Sequence, residues 1–305
     1  MKMLVTGGAG FIGSHVTDKL IAEGHSVVVF DNLSTGSENN INPNAIFVKG
    51  DVSNESDINC VFSKHDIKTV FHLAAQIDVR ISTEEPQKDA QTNIIGTINL
   101  LNAMKKFKAE KIIFSSTGGA LYGEVIDPAD ESYEKSPKSP YGISKLASEF
   151  YIKFFSESFN LNYTILRYAN VYGPRQSVMG EAGVVAIFAD NMKKNRQSSL
   201  FGFGEMYRDY VYVEDVAKAN VMSVSMGDRE TYNVGTGKRT SVKEIFRLLK
   251  NNFNDYSMEP VLKEKRIGEI VNSVVSPKKI IEDYKLSFMD IESGLRLTAD
   301  YFKEI

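Results

Sequence analysis

With 305 residues and a formal net charge of −3, the chain suits one large domain or a nucleotide domain with a smaller partner, and no charge excess draws it to nucleic acid or an anionic membrane. Its single cysteine, Cys60, excludes an intramolecular disulfide, and the four histidines, His15, His25, His65 and His72, lack metal-ligand spacing, so no metal is expected. No apolar stretch approaches the roughly 18 residues of a membrane span, and no charged leader or apolar export core precedes the first strand, so a cytoplasmic protein is the expectation.

The first element is an apolar run, Met3-Leu4-Val5-Thr6, that passes into the turn Gly7-Gly8-Ala9-Gly10 and then into a helical pattern carried by Ile12, Val16, Leu20 and Ile21. Strand, glycine turn and helix in that order open a dinucleotide-binding βαβ unit, because a pyrophosphate can sit on free amides at the helix N-terminus. Gly8, Gly10 and Gly13 satisfy a tight glycine spacing, and Gly7, Gly10 and Gly13 a wider one equally well. A second strand, Ser26 to Phe30, ends in Asp31, where a carboxylate takes both ribose hydroxyls and repels a 2′-phosphate. Neither Asn32 nor Leu33 offers a cation, so NAD is expected over NADP.

Further strands are predicted at Ala45 to Lys49, Lys68 to His72, Lys111 to Ser115 and Tyr163 to Tyr168, with helical patterns between them. The alternation predicts an α/β fold, a Rossmann-like doubly wound parallel sheet with ligands bound beyond the carboxyl ends of its strands. Gly7, Asp31, Asp51, Ala74, Thr117 and Asn170 all fall just past such ends. His72, inside the apolar run Val70 to Ala75, reads as a packed, hydrogen-bonded core residue. Two helical stretches, Asn93 to Met104 and Leu146 to Phe155, are apolar around most of their circumference. One side of each is expected against the sheet and the other against a second subunit, giving a homodimer.

Between those helices, Ser139-Pro140-Tyr141-Gly142-Ile143-Ser144-Lys145 places a tyrosine four residues before a lysine as a helix begins, so both lie on one face. A phenol with an ordinary pKa of about 10 needs a fixed positive charge beside it to move protons near neutrality, and Lys145 supplies one. Beyond Gly173-Pro174-Arg175 the rhythm breaks into loops, short helices and Phe201-Gly202-Phe203-Gly204. The expected organisation is a NAD-binding domain over 1–172, to which the chain returns around 210–224. A smaller C-terminal α/β lobe over 173–305 is expected to hold the substrate, and Arg175 reads as a solvent-facing charge.

Taken in order, Thr6 to Gly13, Asp31-Asn32-Leu33, His72 to Ala75, Ser115-Ser116-Thr117, Tyr141 with Lys145, Leu166 to Asn170, Arg208 to Val211 and Arg266 to Glu269 resemble the landmarks of the extended short-chain dehydrogenase/reductases, from Met3 to about Pro277. Within that family the chain is most similar to UDP-galactose 4-epimerases. The resemblance implies interconversion of UDP-glucose and UDP-galactose through a transient 4-ketosugar, with NAD restored in each turnover. Tyr141, as a phenolate held by Lys145, is then the proton carrier. The hydroxyl on the reacting oxygen is implied to be Thr117, with Ser116 as the alternative, because one residue more than the commonest pattern precedes Tyr122.

The same resemblance implies NAD contacts from Gly7, Gly10, Phe11, Ile12 and Gly13 at the glycine turn and from Asp31, Asn32, Asp51 and Val52 beyond the next strands. Leu73, Ala74, Ala75, Asn93, Ser115, Tyr141, Lys145 and Tyr168 continue that set. For the substrate it implies Asn170, Arg208 and Arg266 on the diphosphate, Glu269 on the uridine ribose, Val184 and Phe201 along the nucleotide, and Thr117, Tyr141 and Ser273 around the sugar. A tyrosine at the last of these positions tends to exclude N-acetyl groups, so Ser273 implies room for UDP-GlcNAc and UDP-GalNAc as well. Gly118, Gly119 and Ala120 stand where related dehydratases and decarboxylases keep acids, which leaves epimerisation as the simplest chemistry. A ketoreductase, a 4,6-dehydratase or a catalytically silent NAD sensor are the alternatives.

Overall fold

The computed structural model describes residues 1–178, 183–265 and 270–305. Its strands β1 (Lys2–Thr6), β2 (Ser26–Asp31), β3 (Ile46–Lys49), β4 (Thr69–His72), β5 (Lys111–Thr117) and β6 (Asn162–Tyr168) are joined by Glu230–Val234 in one seven-stranded sheet. The chain winds outward from β1 in both directions: β1 pairs with β2 through Leu4 and Val28, and with β4 through Leu4 and Val70. Every pairing in this sheet is parallel. Helices therefore cover both faces, which is why the strands are continuous apolar runs instead of alternating ones.

Strand periodicity divides the core. Met3, Val5, Val27, Val29 and Phe71 pack with Val16 and Leu20 of helix α1 (Phe11–Ala22) on one face. Leu4, Val28, Phe30, Val70 and Phe114 pack on the other with Ile58 and Val61 of helix α2 (Glu55–Lys64) and with Leu100 and Met104. Each fully buried aliphatic or aromatic side chain of this kind contributes about 1.5–3 kcal/mol. A separate apolar cluster, including Tyr172, Phe188, Leu200, Tyr210, Phe246 and Leu295, forms the centre of the C-terminal half. The helix Val213–Met222 crosses back to α1, where Glu214 takes bonds from His15 Nδ1 at 2.5 Å and from Lys19 Nζ at 2.6 Å.

Three details differ from expectation. The strand Glu230–Val234, which pairs with β6, is absent from the predicted set; its five residues mix Asn233 with Tyr232 and Val234 and carry no long apolar run. Arg175 does not face solvent freely, because its left-handed backbone turns the guanidinium onto Asp18 at 2.7 Å. The helix Pro140–Phe159 inverts the usual amphipathic order. Its inward face carries Ser144, Lys145, Ser148 and Glu149 among its buried residues, while Phe150 and Phe154 are 63% and 55% exposed. No helix among the described residues is long and apolar enough to cross a membrane, and no described group of His, Cys, Asp or Glu could hold a metal ion.

Candidate active site

A cleft opens over the carboxyl ends of β1, β2, β4 and β5, at the point where the strand order reverses. Its floor is the glycine turn. Gly7 has φ +72°, and a Cβ there would lie 2.7 Å from the Ala74 amide nitrogen, so the turn and the end of β4 touch only because Gly7 has no side chain. A Cβ on Gly13 would lie 2.1 Å from the Gly7 carbonyl oxygen, while the Gly10 amide donates to that same oxygen at 3.1 Å. The packed glycine triad is therefore Gly7, Gly10 and Gly13; Gly8 instead faces the Val29 side chain. Gly10 caps α1 with no side-chain bond, which leaves the first amides of the helix open to an anion.

Asp31, at the end of β2, accepts from the Ala9 amide at 3.0 Å and from the Leu33 amide at 2.8 Å. One bond per oxygen leaves acceptor capacity for two ribose hydroxyls at the cleft edge. Asn32 donates to Asp51 at 2.8 Å, and Ser53 donates to it through amide and hydroxyl. Burial pushes the Asp51 carboxyl up, but these bonds outweigh it and hold it below the usual range. Phe11, Ile12, Val52, Leu73, Ala74 and Ala75 supply apolar wall. Asn93 stands behind that wall, with its amide tied to the Gln76 main chain, Asp89 and Ser144.

The inner end of the cleft holds the proton-transfer candidates. Ser139 caps the helix Pro140–Phe159 by accepting from the Gly142 amide, with Pro140 preset in the first turn, so Tyr141 and Lys145 occupy successive turns facing the cleft. Lys145 is 3% exposed, and its ammonium lies 4.4 Å from the Phe114 ring centroid. Burial pushes its pKa down to about 8, against the raising fields of Glu149 and Asp89. Along β5 the alternation separates the two candidate hydroxyls. Both residues line the cleft, but Ser116 Oγ is taken up by a bond to the buried Glu149 at 2.6 Å, whereas Thr117 Oγ1 accepts from the Ala120 amide at 3.1 Å.

Residues 3–235 match the profile of the NAD dependent epimerase/dehydratase family. The chain belongs to that family. The UDP-glucose 4-epimerase of Thermotoga maritima, solved with UDP-glucose, is 49% identical with a TM-score of 0.97 over 100% of this chain and 99% of that one. The Thermus thermophilus UDP-glucose 4-epimerase, solved with NAD, is 39% identical with a TM-score of 0.94, covering 99% of each chain. A UDP-N-acetylglucosamine 4-epimerase from Methanobrevibacter ruminantium, in complex with UDP-N-acetylmuramic acid, is 34% identical with a TM-score of 0.93 over 99% of this chain and 98% of that one. NAD is the cofactor of this epimerase/dehydratase member, and the glycine cradle and Asp31 fit it: a side chain at Gly7 or Gly13 would close the turn on which its pyrophosphate rests.

Asn170, Ser273, Arg208, Val184 and Phe201, which the family resemblance implies for the substrate, are not among the residues that line this cleft. Asn170 Oδ1 lies 3.5 Å from where a Gly119 Cβ would be, and Ser273 Oγ donates to the Gly119 carbonyl at 3.5 Å. Arg208, paired in register with Ser273, donates to the main-chain carbonyls of Tyr207, Ile270 and Val271. Val184 opens the helix Val184–Lys193, and Phe201 ends the strand Ser199–Phe201 with Lys263 Nζ 5.4 Å from its ring centroid. Arg266 and Glu269 lie outside the described residues. Tyr168 lines the cleft with its phenol held by Asn220 at 2.7 Å, and Ser115 completes that wall. Sequence reasoning missed Ser34, Thr35 and Gln176, which also line the cleft. The Ser34-Thr35 hydroxyl pair directly after Asp31-Asn32-Leu33 was the signal for the first two.

Proposed function

We propose that this enzyme interconverts the C4 epimers of UDP-glucose and UDP-galactose, and of their N-acetyl counterparts, through a transient 4-ketosugar. The observation that carries the proposal is the pairing of a cleft-facing Tyr141, Lys145 and Thr117 set with two glycines directly after it. A Cβ at Gly118 would meet Val275 Cγ1 at 2.6 Å, so no acid fits there. At Gly119 the nearest atom would be 3.5 Å away, so an acid would fit and is simply not present. Elimination of water needs such an acid or base at the sugar, and epimerisation does not. The similarity to 4-epimerases solved with UDP-glucose and with NAD supports the same reading.

In this reading Tyr141 takes the proton from the sugar 4-hydroxyl and later returns it. Lys145 holds the phenolate by charge, and Thr117 hydrogen-bonds the reacting oxygen. NAD, when bound, supplies the hydride acceptor and donor. Arg208 and Arg266 neutralise the diphosphate and Asn170 hydrogen-bonds it, Glu269 takes the uridine ribose, and Val184 and Phe201 border the nucleotide. Ser273, in place of a bulkier residue, admits the N-acetyl group at the 2-position; the similarity to a UDP-N-acetylglucosamine 4-epimerase solved with UDP-N-acetylmuramic acid supports this part of the reading. The first 172 residues, with the return through Val213–Met222, hold the cofactor, and most of the remainder holds the nucleotide sugar. The exposed Phe150, Tyr151 and Phe154, together with the exposed Ile95 at the start of the 93–104 stretch, form the homodimer contact.

Product analysis by NMR after incubation with UDP-glucose, UDP-galactose, UDP-GlcNAc and UDP-GalNAc tests the proposal. Interconversion within each pair without net NADH is expected. No epimer from any of the four, from protein that retains NAD, overturns it.

A further inference from the structure

Four residues beyond Lys145 the same helix carries Glu149, which is 1% exposed and takes no part in the steps above. Its carboxylate accepts from Arg167 Nε at 2.9 Å, from Arg167 Nη2 at 2.6 Å and from Ser116 Oγ at 2.6 Å. Arg167 Nη1 continues to the Tyr122 phenol oxygen at 2.9 Å, and that phenol donates to Asn233 Oδ1 at 2.7 Å. A buried ion pair is a poor device for stability alone, since desolvation consumes most of its Coulombic gain and a well-packed apolar replacement is often as good. What this pair does provide is connection. It joins the helix of Tyr141 and Lys145 to β6 and to the residue directly before Thr117.

The groups around Lys145 define the second part of the argument. Ionisable side chains reach it from its own helix (Tyr141 and Glu149), from the Pro86–Ala90 helix (Asp89) and from β4 (His72). His72 is neutral, its ring nitrogens bonded to Thr6 and Thr97 and its pKa pushed down to about 3 by burial and by Lys145. Asp89 is bonded by Gln76 and Asn93, and burial pushes its carboxyl up. Glu149 alone among them has a bidentate cationic partner, the Arg167 guanidinium.

We propose that Glu149 is a positioning residue for the proton-transfer set: its carboxylate locks the Tyr141 helix to the strand end of Thr117 and keeps a fixed negative charge one turn from Lys145. This rests on the roles proposed above for Tyr141 and Lys145. With Glu149 replaced, the helix loses its tie to β5 and β6, Lys145 is no longer held in place beside Tyr141, and the phenolate loses the ammonium that supports it.

The test titrates the NAD-bound enzyme by tyrosinate absorbance, which needs no substrate; subtracting the matching Tyr141→Phe protein isolates Tyr141 from the other tyrosines. In Glu149→Gln the Tyr141 transition should move up by about one pH unit, a tenfold loss of phenolate below it, and kcat should fall at fixed pH with KM little changed. Glu149→Gln/Arg167→Met, which strands no guanidinium, should show the same shift and decides alone where the single variant does not fold. An unmoved transition overturns the proposal, and so does a shift in the single variant that the double variant abolishes. A wild-type enzyme that epimerises none of the UDP-sugars but shows the shift would sink the substrate reading and leave the role of Glu149 standing.

Discussion

Replacing Gly13 by alanine should damage both the fold and the cofactor site, and replacing Gly10 mainly the second. The Gly13 Cβ would sit 2.1 Å from the Gly7 oxygen, 2.8 Å from the Gly7 carbonyl carbon and 2.9 Å from Gly8 Cα, all inside the 3.0 Å that real Cβ contacts respect. These are main-chain atoms of a turn held by the Gly7 amide on the Phe30 carbonyl and the Ala9 amide on Asp31, so they cannot rotate aside. The start of α1 must instead retreat by about 1 Å, an overpacking that costs about 3 kcal/mol. Roughly 1 kcal/mol returns from the better helix propensity of alanine, leaving a net loss of about 2 kcal/mol. In a chain of this length that lowers the melting temperature by about 4 °C. Displaced amides should also cost at least a tenfold loss of NAD affinity, about 1.4 kcal/mol.

At Gly10 the only atom near a new Cβ is the Gly7 oxygen at 3.1 Å, and φ −82° suits any residue. Gly10→Ala should therefore lose much less stability than Gly13→Ala after NAD is stripped and yet bind NAD weakly, since the methyl enters the space above the helix end. Thermal melts of the stripped proteins and calorimetric NAD titrations check both. A Gly13→Ala protein that melts and binds as the wild type does would refute the packing argument.

Turnover should decline above about pH 8, where Lys145 gives up its proton under the pressure of burial; a rate constant to about pH 10 would mean that this ammonium is not needed. Thr117→Val should lower kcat about 100-fold with NAD retained, whereas Ser116→Ala, which removes a buried bond to Glu149, should mainly cost about 1–3 kcal/mol of stability. The opposite pattern would exchange the two assignments. His72 has an ordinary pKa of 6.5 when unfolded and about 3 when buried, so its contribution is intact above pH 6.5 and is lost as pH falls from 6.5 towards 3. Its slope is at most about 1.4 kcal/mol per pH unit. Melts between about pH 7 and 5 should show a shallower decline in His72→Gln, and equal slopes would exclude His72 as the source.

The nucleotide half of the fold could be read from local order. Met3 to Asp31 holds strand, turn, helix and acid in one uninterrupted stretch, so each part constrains the next, and Tyr141 with Lys145 needs only one helical turn. What escaped reading joins residues far apart in the chain. Ser116, Glu149 and Arg167 meet only after β5, a helix and β6 have packed, and nothing in the neighbourhood of Glu149 distinguishes it from a surface charge on a helix. The choice between Thr117 and Ser116 likewise depends on the pleat of β5, which an extra glycine after the strand does not alter. Glu230–Val234 escaped because a short edge strand with Asn233 among its five residues draws its stability from β6, not from its own propensity.

That late strand also has a meaning for biosynthesis. β6 leaves the ribosome with β5 already available on one flank, but its other flank stays bare until Glu230–Val234 has been translated, about 60 residues later. At bacterial-to-eukaryotic elongation rates this is an interval of roughly 3–12 s. Throughout it the nascent chain presents an unpaired parallel edge to its surroundings, so the window just after Tyr168 emerges is when the polypeptide most needs a chaperone or most readily pairs with a neighbour on the same message.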